Sequence, residues 1–142
     1  MVHNPLIGAW KLVDYTCKAG NRDLDSPLGP GPVGYILYTA DGHMSVQIAA
    51  AERPHFAAED LLGGTSAEKE AAADSYIAYC GTYTLFADRV VHHVEQSFFP
   101  NRAGTAQTRY YTLEGNRLEL TTPPILIDGA EQVCRISWER TQ

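Results

Sequence analysis

The sequence predicts an all-β protein, a closed antiparallel barrel or a sandwich of eight short strands that forms one domain over residues 1–142. Apolar and polar residues alternate with the two-residue period of a strand through most of the chain. Turn signals such as Asp41-Gly42 and Gly115-Asn116 separate these runs, and strands joined as hairpins are typical of barrels and sandwiches. The predicted strands are Gly8–Cys17, Val33–Thr39, His43–Ala49, Ile77–Leu85, Arg89–Phe98, Ala106–Leu113, Arg117–Thr122 and Gln132–Arg140.

Composition and charge restrict the possible partners. The 142 residues are 44% hydrophobic and 20% charged, as in ordinary globular proteins, and the net charge is −6. No cluster of Lys and Arg could follow a phosphate backbone, so we expect no nucleic-acid partner. No apolar run reaches the length needed to span a membrane, so we expect no membrane partner either.

Cysteine usage and the start of the chain predict a cytoplasmic protein. Cys17, Cys80 and Cys134 are odd in number and widely separated, which favours three reduced thiols over a disulfide framework. The strand pattern places Cys80 and Cys134 among small core residues. Residues 1–5 contain neither the basic nor the apolar segment of an export signal.

The first hairpin fixes which residues of two strands face inward. We interpret Asp41-Gly42 as a two-residue turn, the strongest hairpin signal in the chain. Tyr38, Ser45 and Gln47 then share the outer face. The predicted apolar face consists of Val33, Tyr35, Leu37, Met44, Val46 and Ile48.

Two segments interrupt the strand pattern. Between the third and fourth predicted strands, residues 50–76 form a helical insert, in which Thr65 and Glu68 resemble a capping box opening a helix to about Ser75. A short turn of helix is also predicted over Phe56–Leu62. The insert either covers one barrel mouth or is a surface crossover. The segment Cys17–Pro32 is predicted to be an irregular loop over the open end.

The last two hairpins place charged groups among apolar ones. A turn at Gly115-Asn116 sets Leu113 opposite Leu118 and Tyr111 opposite Leu120. A register that pairs Phe98 with Ala106 sets Glu95 opposite Arg109 and His93 opposite Tyr111. Because alternate residues of a strand share a face, we expect the side chains of His93, Glu95 and Arg109 to face the interior.

Several motifs together resemble the bacterial and fungal lipocalin-like domain family. They are Gly8-Ala9-Trp10, the run from Pro32 to Gly42, the run from Tyr76 to Tyr83, His92-His93-Val94-Glu95 and Phe99-Pro100-Asn101. The resemblance implies an eight-stranded barrel with a small-molecule cavity, in which Trp10 plugs the closed end and Arg140 packs over it. Family members differ in use, and some act as cyclases or isomerases in natural-product pathways, so the fold does not decide the function.

We expect the interior to bind a small hydrophobic molecule with a carbonyl or hydroxyl group. The first hypothesis is a cofactor-free cyclase or isomerase, in which Glu95 and His93 move protons and Arg109 orients charge. The alternatives are a non-catalytic carrier that uses the same pocket and a scaffold that forms a homodimer. The residues predicted to contact the substrate are Tyr35, Leu37, Met44, Tyr83, Tyr111 and Leu120.

No metal or cofactor is predicted. His92 and His93 are adjacent in a strand and point to opposite faces, so they cannot share one ion. His93 and Glu95 supply two ligands on one face, but a third would have to come from a distant histidine. A haem bound through a single histidine stays open as an alternative. The chain has no Gly-x-Ser-x-Gly motif, which argues against nucleophilic catalysis.

Overall fold

The computed structural model describes residues 3–142. The prediction that residues 1–5 lack the segments of an export signal includes Met1 and Val2, which lie outside the described residues. The helical elements are α1 (Ser66–Asp74) and a single 3-10 turn (Pro100–Arg102). The strands are β1 (Gly8–Ala19), β2 (Arg22–Asp25), β3 (Val33–Tyr38), β4 (His43–Ala49), β5 (Tyr76–Leu85), β6 (Arg89–Ser97), β7 (Ala106–Glu114), β8 (Arg117–Thr121), β9 (Ile125–Ile127) and β10 (Ala130–Arg140).

Eight of these strands form a closed antiparallel barrel, as predicted. Neighbouring strands follow the order β1-β3-β4-β5-β6-β7-β8-β10, and β10 pairs with β1 to close the ring. The closing pairs run from Trp10–Arg140 to Lys18–Val133, with a bulge between Leu12 and Asp14. The short strands β2 and β9 add to the free edges of β1 and β10, respectively. A closed ring leaves a single interior, which receives the apolar side chains of all eight strands.

The position of the helical insert differs from the prediction. It lies between β4 and β5 rather than between the third and fourth strands, because Arg22–Asp25 is an additional strand within the predicted first loop. The capping box is confirmed: the Glu68 amide donates to the Thr65 hydroxyl (3.1 Å), and the Thr65 amide donates to the Glu68 carboxylate (2.9 Å). No helix forms over residues 56–62, and α1 buries none of its side chains.

The hairpin between β3 and β4 reverses the predicted face of β3. Its loop contains three residues, and the Thr39 amide donates to the His43 carbonyl at 2.9 Å. Gly42 adopts a positive φ of 93°, as the last residue of such a loop requires. One extra loop residue exchanges the two faces of β3, so the predicted inward placement of Val33, Tyr35 and Leu37 is wrong. Their exposed fractions are 53%, 49% and 42%.

The register between β6 and β7 also differs from the prediction. Arg109 pairs with Val90, five residues earlier along β6 than Glu95, and pairing with β7 stops at His93–Ala106. The remaining residues form a longer connection, in which the Val94 amide and carbonyl bond to Thr105 and Gly104 (both 2.9 Å). An odd displacement exchanges the faces, so His92 points inward and the inward placement of His93 and Glu95 is wrong.

The hairpin between β7 and β8 agrees with the prediction. Leu113 pairs with Leu118 and Tyr111 pairs with Leu120, across a two-residue turn in which Gly115 has a φ of 56°. Arg109 therefore faces the interior together with the leucines, where its side chain is buried.

The closed end of the barrel is built around Trp10, as the resemblance implied. The indole is fully buried, and its N–H donates to the Leu6 carbonyl at 2.9 Å. The Arg140 guanidinium lies 4.1 Å from the ring centroid and donates to the carbonyls of Ile7 and Pro5 at 2.8 and 2.7 Å. These bonds tie the amino-terminal segment to the last strand.

The cysteines differ from the expected three reduced thiols. Cys17 of β1 and Cys134 of β10 lie opposite each other in the strand pair that closes the barrel and form a disulfide, with a Cα–Cα distance of 4.0 Å. Cys80 is half-buried in β5 and is a free thiol. The two bonded cysteines are 117 residues apart in sequence, so only the closure of the barrel brings them together.

In the described part of the chain, no helix is both long and apolar enough to cross a membrane.

Candidate functional site

The interior of the barrel contains a cavity of about 440 Å³, the lumen cavity. Its apolar wall consists of Ile36, Val46, Ile48, Ile77, Leu120, Ile136 and Trp138. Its mouth lies between the loop after β2, the 3-10 turn and the segment around β9, and is lined by Pro27, Phe99, Pro124, Ile125, Leu126 and Ile127. The volume and the apolar wall are typical of sites for small organic molecules.

The helical insert does not line this cavity. Among the wall and mouth residues, none comes from residues 50–76. The end of α1 instead borders an adjoining cavity of about 360 Å³, which shares Pro27, Phe99 and Arg102 with the lumen cavity. The segment 17–32 was predicted to be an irregular loop over the open end. Residues 17–19 and 22–25 are strand instead, and Pro27 in the remaining loop lies at the cavity mouth.

A buried Tyr–His–Tyr chain crosses the interior beside the cavity. The Tyr38 hydroxyl lies 2.7 Å from His92 Nε2, and the Tyr79 hydroxyl lies 2.7 Å from His92 Nδ1. His92 is 1% exposed, and both tyrosines are buried. His92 and Tyr79 line the cavity, whereas Tyr38 lies behind them. The chain therefore joins strands β3, β5 and β6 through one imidazole.

Burial keeps His92 and Tyr38 of this chain neutral. Burial, followed by the charges of Arg109 and His93, lowers the pKa of His92 from 6.5 to about 3. Burial also holds the pKa of Tyr38 well above its usual value. A neutral imidazole and two phenols carry three N–H or O–H protons between them, and the two hydrogen bonds use only two. In the tautomer with the proton on Nδ1, the Tyr79 O–H is free to donate into the cavity.

Two arginines add positive charge to the same cavity. Arg109 in β7 is 5% exposed, and its Nη1 donates to the Thr108 carbonyl at 2.8 Å. Arg102 in the 3-10 turn stands over the Tyr79 ring, with its Cζ 5.9 Å from the centroid. Burial and then the charge of Arg109 lower the pKa of Arg102, so the two guanidinium groups influence each other. Gln107 and Thr122 supply further polar atoms to the wall.

Two predicted site residues lie at the lumen cavity. Arg109 and Leu120 line it, as expected from their faces. Met44 is buried in the barrel, but it does not line the cavity. Tyr83 and Tyr111 contact the core away from the cavity: the Tyr83 hydroxyl donates to the Thr39 carbonyl (2.7 Å), and the Tyr111 hydroxyl donates to the Phe86 carbonyl (3.1 Å).

The predicted cluster of His93, Glu95 and Arg109 does not assemble. His93 and Glu95 lie on the outer face of β6, and His93 Nε2 is 2.9 Å from the exposed Thr84 hydroxyl. Tyr35 and Leu37 are exposed on the outer face of β3. These four side chains therefore have no contact with the cavity.

Sequence reasoning missed His92, Tyr79 and Arg102. A signal for His92 was present, because Val90, His92 and Val94 follow the same two-residue alternation as the core. Tyr79 alternates in the same way with Ile77 in β5. Arg102 is in a loop, and periodicity carries no information on where a loop side chain points.

Replacing His92 should change how stability depends on pH. Between pH 6.5 and about 3 the unfolded chain binds a proton at this residue and the folded protein does not, so acid destabilises the fold. We expect His92→Gln to reduce the slope of unfolding free energy against pH in this window by up to about 1.4 kcal/mol per pH unit. Urea titrations at pH 6.5, 5.5 and 4.5 measure this slope.

The neighbouring histidine is the matched control. His93→Gln alters an exposed side chain one position along the same strand. The charge of His93 is the smallest of the three causes that lower the pKa of His92, so we expect a slope close to that of the wild type. Equal slopes in wild type and His92→Gln would contradict the buried neutral imidazole. The absolute stability of His92→Gln is not the readout, since two hydrogen bonds to tyrosines are also changed.

The closed ring and its interior cavity define the class: an eight-stranded antiparallel β-barrel with a cavity of about 440 Å³. The chain belongs to the lipocalin-like domain family, because the model of this family matches residues 7–141. It is similar to the 4'-hydroxy-3'-methoxypropiophenone carrier protein ppsC of Aspergillus oryzae, with 35% identity over 106 residues, 68% of this chain and 96% of the relative. No solved structure matches the chain. Within residues 3–142, no three His, Cys, Asp or Glu side chains come together in a way that could hold a metal ion.

Proposed function

We propose that this protein binds and carries a small, mostly apolar molecule with a carbonyl or hydroxyl group, and that the lumen cavity is its binding site. The observation that carries the proposal is a mainly apolar cavity inside the barrel with hydrogen-bonding groups, Tyr79 and His92, at one side. The similarity to a protein named as a carrier of a hydroxylated aromatic ketone supports the same interpretation.

The wall chemistry fits such a ligand. Aliphatic side chains on β3, β4, β5, β8 and β10 offer apolar contact to an aromatic ring and an alkyl chain. The Tyr–His–Tyr chain offers either a donor or an acceptor at Tyr79, depending on which imidazole nitrogen carries the proton. A ketone oxygen would accept from Tyr79 in one tautomer, and a hydroxyl would donate to Tyr79 in the other.

The cyclase or isomerase hypothesis has less support than the carrier hypothesis. It assigned proton transfer to Glu95 and His93, and both side chains lie outside the barrel. The imidazole that does line the cavity, His92, has a pKa of about 3 and is engaged by two tyrosines, which makes it a poor base near neutral pH.

Binding and recovery of a ligand test this function. We would titrate the protein with 4'-hydroxy-3'-methoxypropiophenone by calorimetry, then incubate the complex and recover the ligand for mass spectrometry. We expect one site per chain and an unchanged ligand. A new product would support catalysis instead, and no binding of this or related aryl ketones would contradict the proposal.

Loss of one cavity hydroxyl should weaken binding. Tyr79→Phe removes the hydrogen bond to a ligand oxygen, which contributes about 0.5–1.5 kcal/mol, so we expect a roughly 2- to 12-fold weaker affinity. Tyr110→Phe changes the same group on an exposed side chain and should bind as the wild type does.

A further inference from the structure

We propose that the lumen cavity binds its ligand as an anion, with the guanidinium groups of Arg102 and Arg109 holding a negatively charged oxygen such as a carboxylate or a phenolate. This inference rests on the proposed carrier function and names the charge of its ligand. The two residues are called the arginine pair below.

The arginine pair has unused donors. A guanidinium carries five N–H groups, and Arg109 uses one of them for the Thr108 carbonyl. Among residues 3–142, the ion pairs involve Lys18, His43, Arg89 and Arg135, and neither member of the arginine pair takes part. Arg109 is the buried member of the pair, and Arg102 is half-buried. A buried cation normally has a partner of opposite charge, because removing a charge from water costs several kcal/mol.

The cavity supplies no negative charge of its own. Its lining contains no Asp or Glu, although the chain has 17 acidic and 11 basic residues. The other titratable groups that face the arginine pair are Tyr15 from β1, Tyr79 from β5 and His92 from β6. Burial raises the pKa of Tyr15 despite both arginines, so this phenol stays protonated and is no counter-ion.

Contacts within the protein explain only part of the placement of Arg102 beside Arg109. Arg102 gains a cation–π contact with Tyr79, but repulsion by the charge of Arg109 lowers the pKa of Arg102. An anion at the arginine pair would relieve this repulsion and accept charge-assisted hydrogen bonds from both residues. Arginine suits a planar carboxylate or phenolate because its donors form a fork.

Matched ligand pairs test the charge directly. The first pair is 4'-hydroxypropiophenone and 4'-methoxypropiophenone, titrated by calorimetry between pH 6 and 9.5. The second pair is 4-phenylbutyrate and 4-phenylbutyramide at pH 7. We expect the affinity of the phenol to rise at least 10-fold as it ionises while that of the ether stays level, and the carboxylate to bind at least 10-fold tighter than the amide. The two pairs also distinguish a phenolate site from a carboxylate site.

Variants assign the effect to the arginine pair. Arg102→Gln and Arg109→Gln should each weaken the anion at least 10-fold and the neutral partner less than 2-fold. Arg117→Gln removes an exposed arginine and should change neither. If a variant fails to fold, as judged by circular dichroism, the wild-type ligand pairs still decide.

The outcomes separate the two proposals. If charged and neutral members of both pairs bind equally, the anion site is wrong and the carrier function stands. If the neutral ligands bind more tightly, the inference is also overturned. If no member of either pair binds, the carrier function fails and this inference fails with it.

Discussion

Replacing Val46 with tryptophan should abolish ligand binding while the barrel stays folded. Val46 is buried in β4 and lines the lumen cavity, so a larger side chain at this position occupies the space that the ligand requires. The cavity of about 440 Å³ accommodates an indole with limited strain, whereas a fully packed core would lose about 1–3 kcal/mol. We expect the affinity for an aryl ketone to fall at least 100-fold, measured by calorimetry.

The control carries the same change on the opposite face. Val33→Trp places an indole on the exposed side of β3, the strand that neighbours β4, and should leave the affinity unchanged. Circular dichroism and thermal unfolding would establish that both variants fold. Undiminished binding by a folded Val46→Trp variant would mean that the ligand binds elsewhere on the molecule.

Trp10→Ala should strongly destabilise the barrel. The indole is fully buried at the closed end, donates to Leu6 and lies under Arg140. Truncating a buried aromatic residue to alanine costs about 3–5 kcal/mol, a large share of the 5–15 kcal/mol that stabilises a typical domain. Urea titration of the unfolding free energy measures the loss.

Two comparisons test whether the loss of stability is specific to the buried position of Trp10 and independent of the binding site. Leu61→Ala, at a side chain that is 90% exposed, should change stability by less than about 0.5 kcal/mol. Trp10 does not line the lumen cavity, so the folded Trp10→Ala variant should bind ligand within about 2-fold of the wild type. A normal stability of Trp10→Ala would contradict the role of this residue as the plug of the barrel.

The alternation of apolar and polar residues predicted the fold correctly. It did not predict how each strand is placed relative to its neighbour. Within β4, Met44, Val46 and Ile48 all face inward as predicted, because a two-residue period is a local property. The relation between strands depends on the number of residues in each loop. At β3 one extra loop residue exchanged the faces and moved Tyr35 outside.

The candidate site depended on one such loop. Sequence reasoning paired β6 with β7 as far as Phe98, whereas the pairing stops at His93 because Val94 bonds to the loop at Gly104 and Thr105. This single difference replaced His93 with His92 in the interior. Arg109 was placed correctly, because the Gly115-Asn116 turn has the predicted length.

Long-range proximity could not be predicted from local patterns. The Cys17–Cys134 disulfide and the meeting of Tyr38 with Tyr79 at His92 depend on closure of the whole ring. The Trp10–Arg140 contact is equally distant in sequence, yet it was predicted, because a family resemblance carried it. The charges and the sequence spacing of these residues do not by themselves indicate which residues meet in the folded barrel.

A crystal structure of the protein with a bound aryl ketone tests most directly whether the barrel interior is the binding site. We expect ligand density inside the barrel, with the ring against Val46 and Leu120 and an oxygen within hydrogen-bond distance of Tyr79 or the arginine pair. Ligand density in the surface groove lined by Lys18, Asp23 and Arg135, with only water inside the barrel, would contradict this binding site.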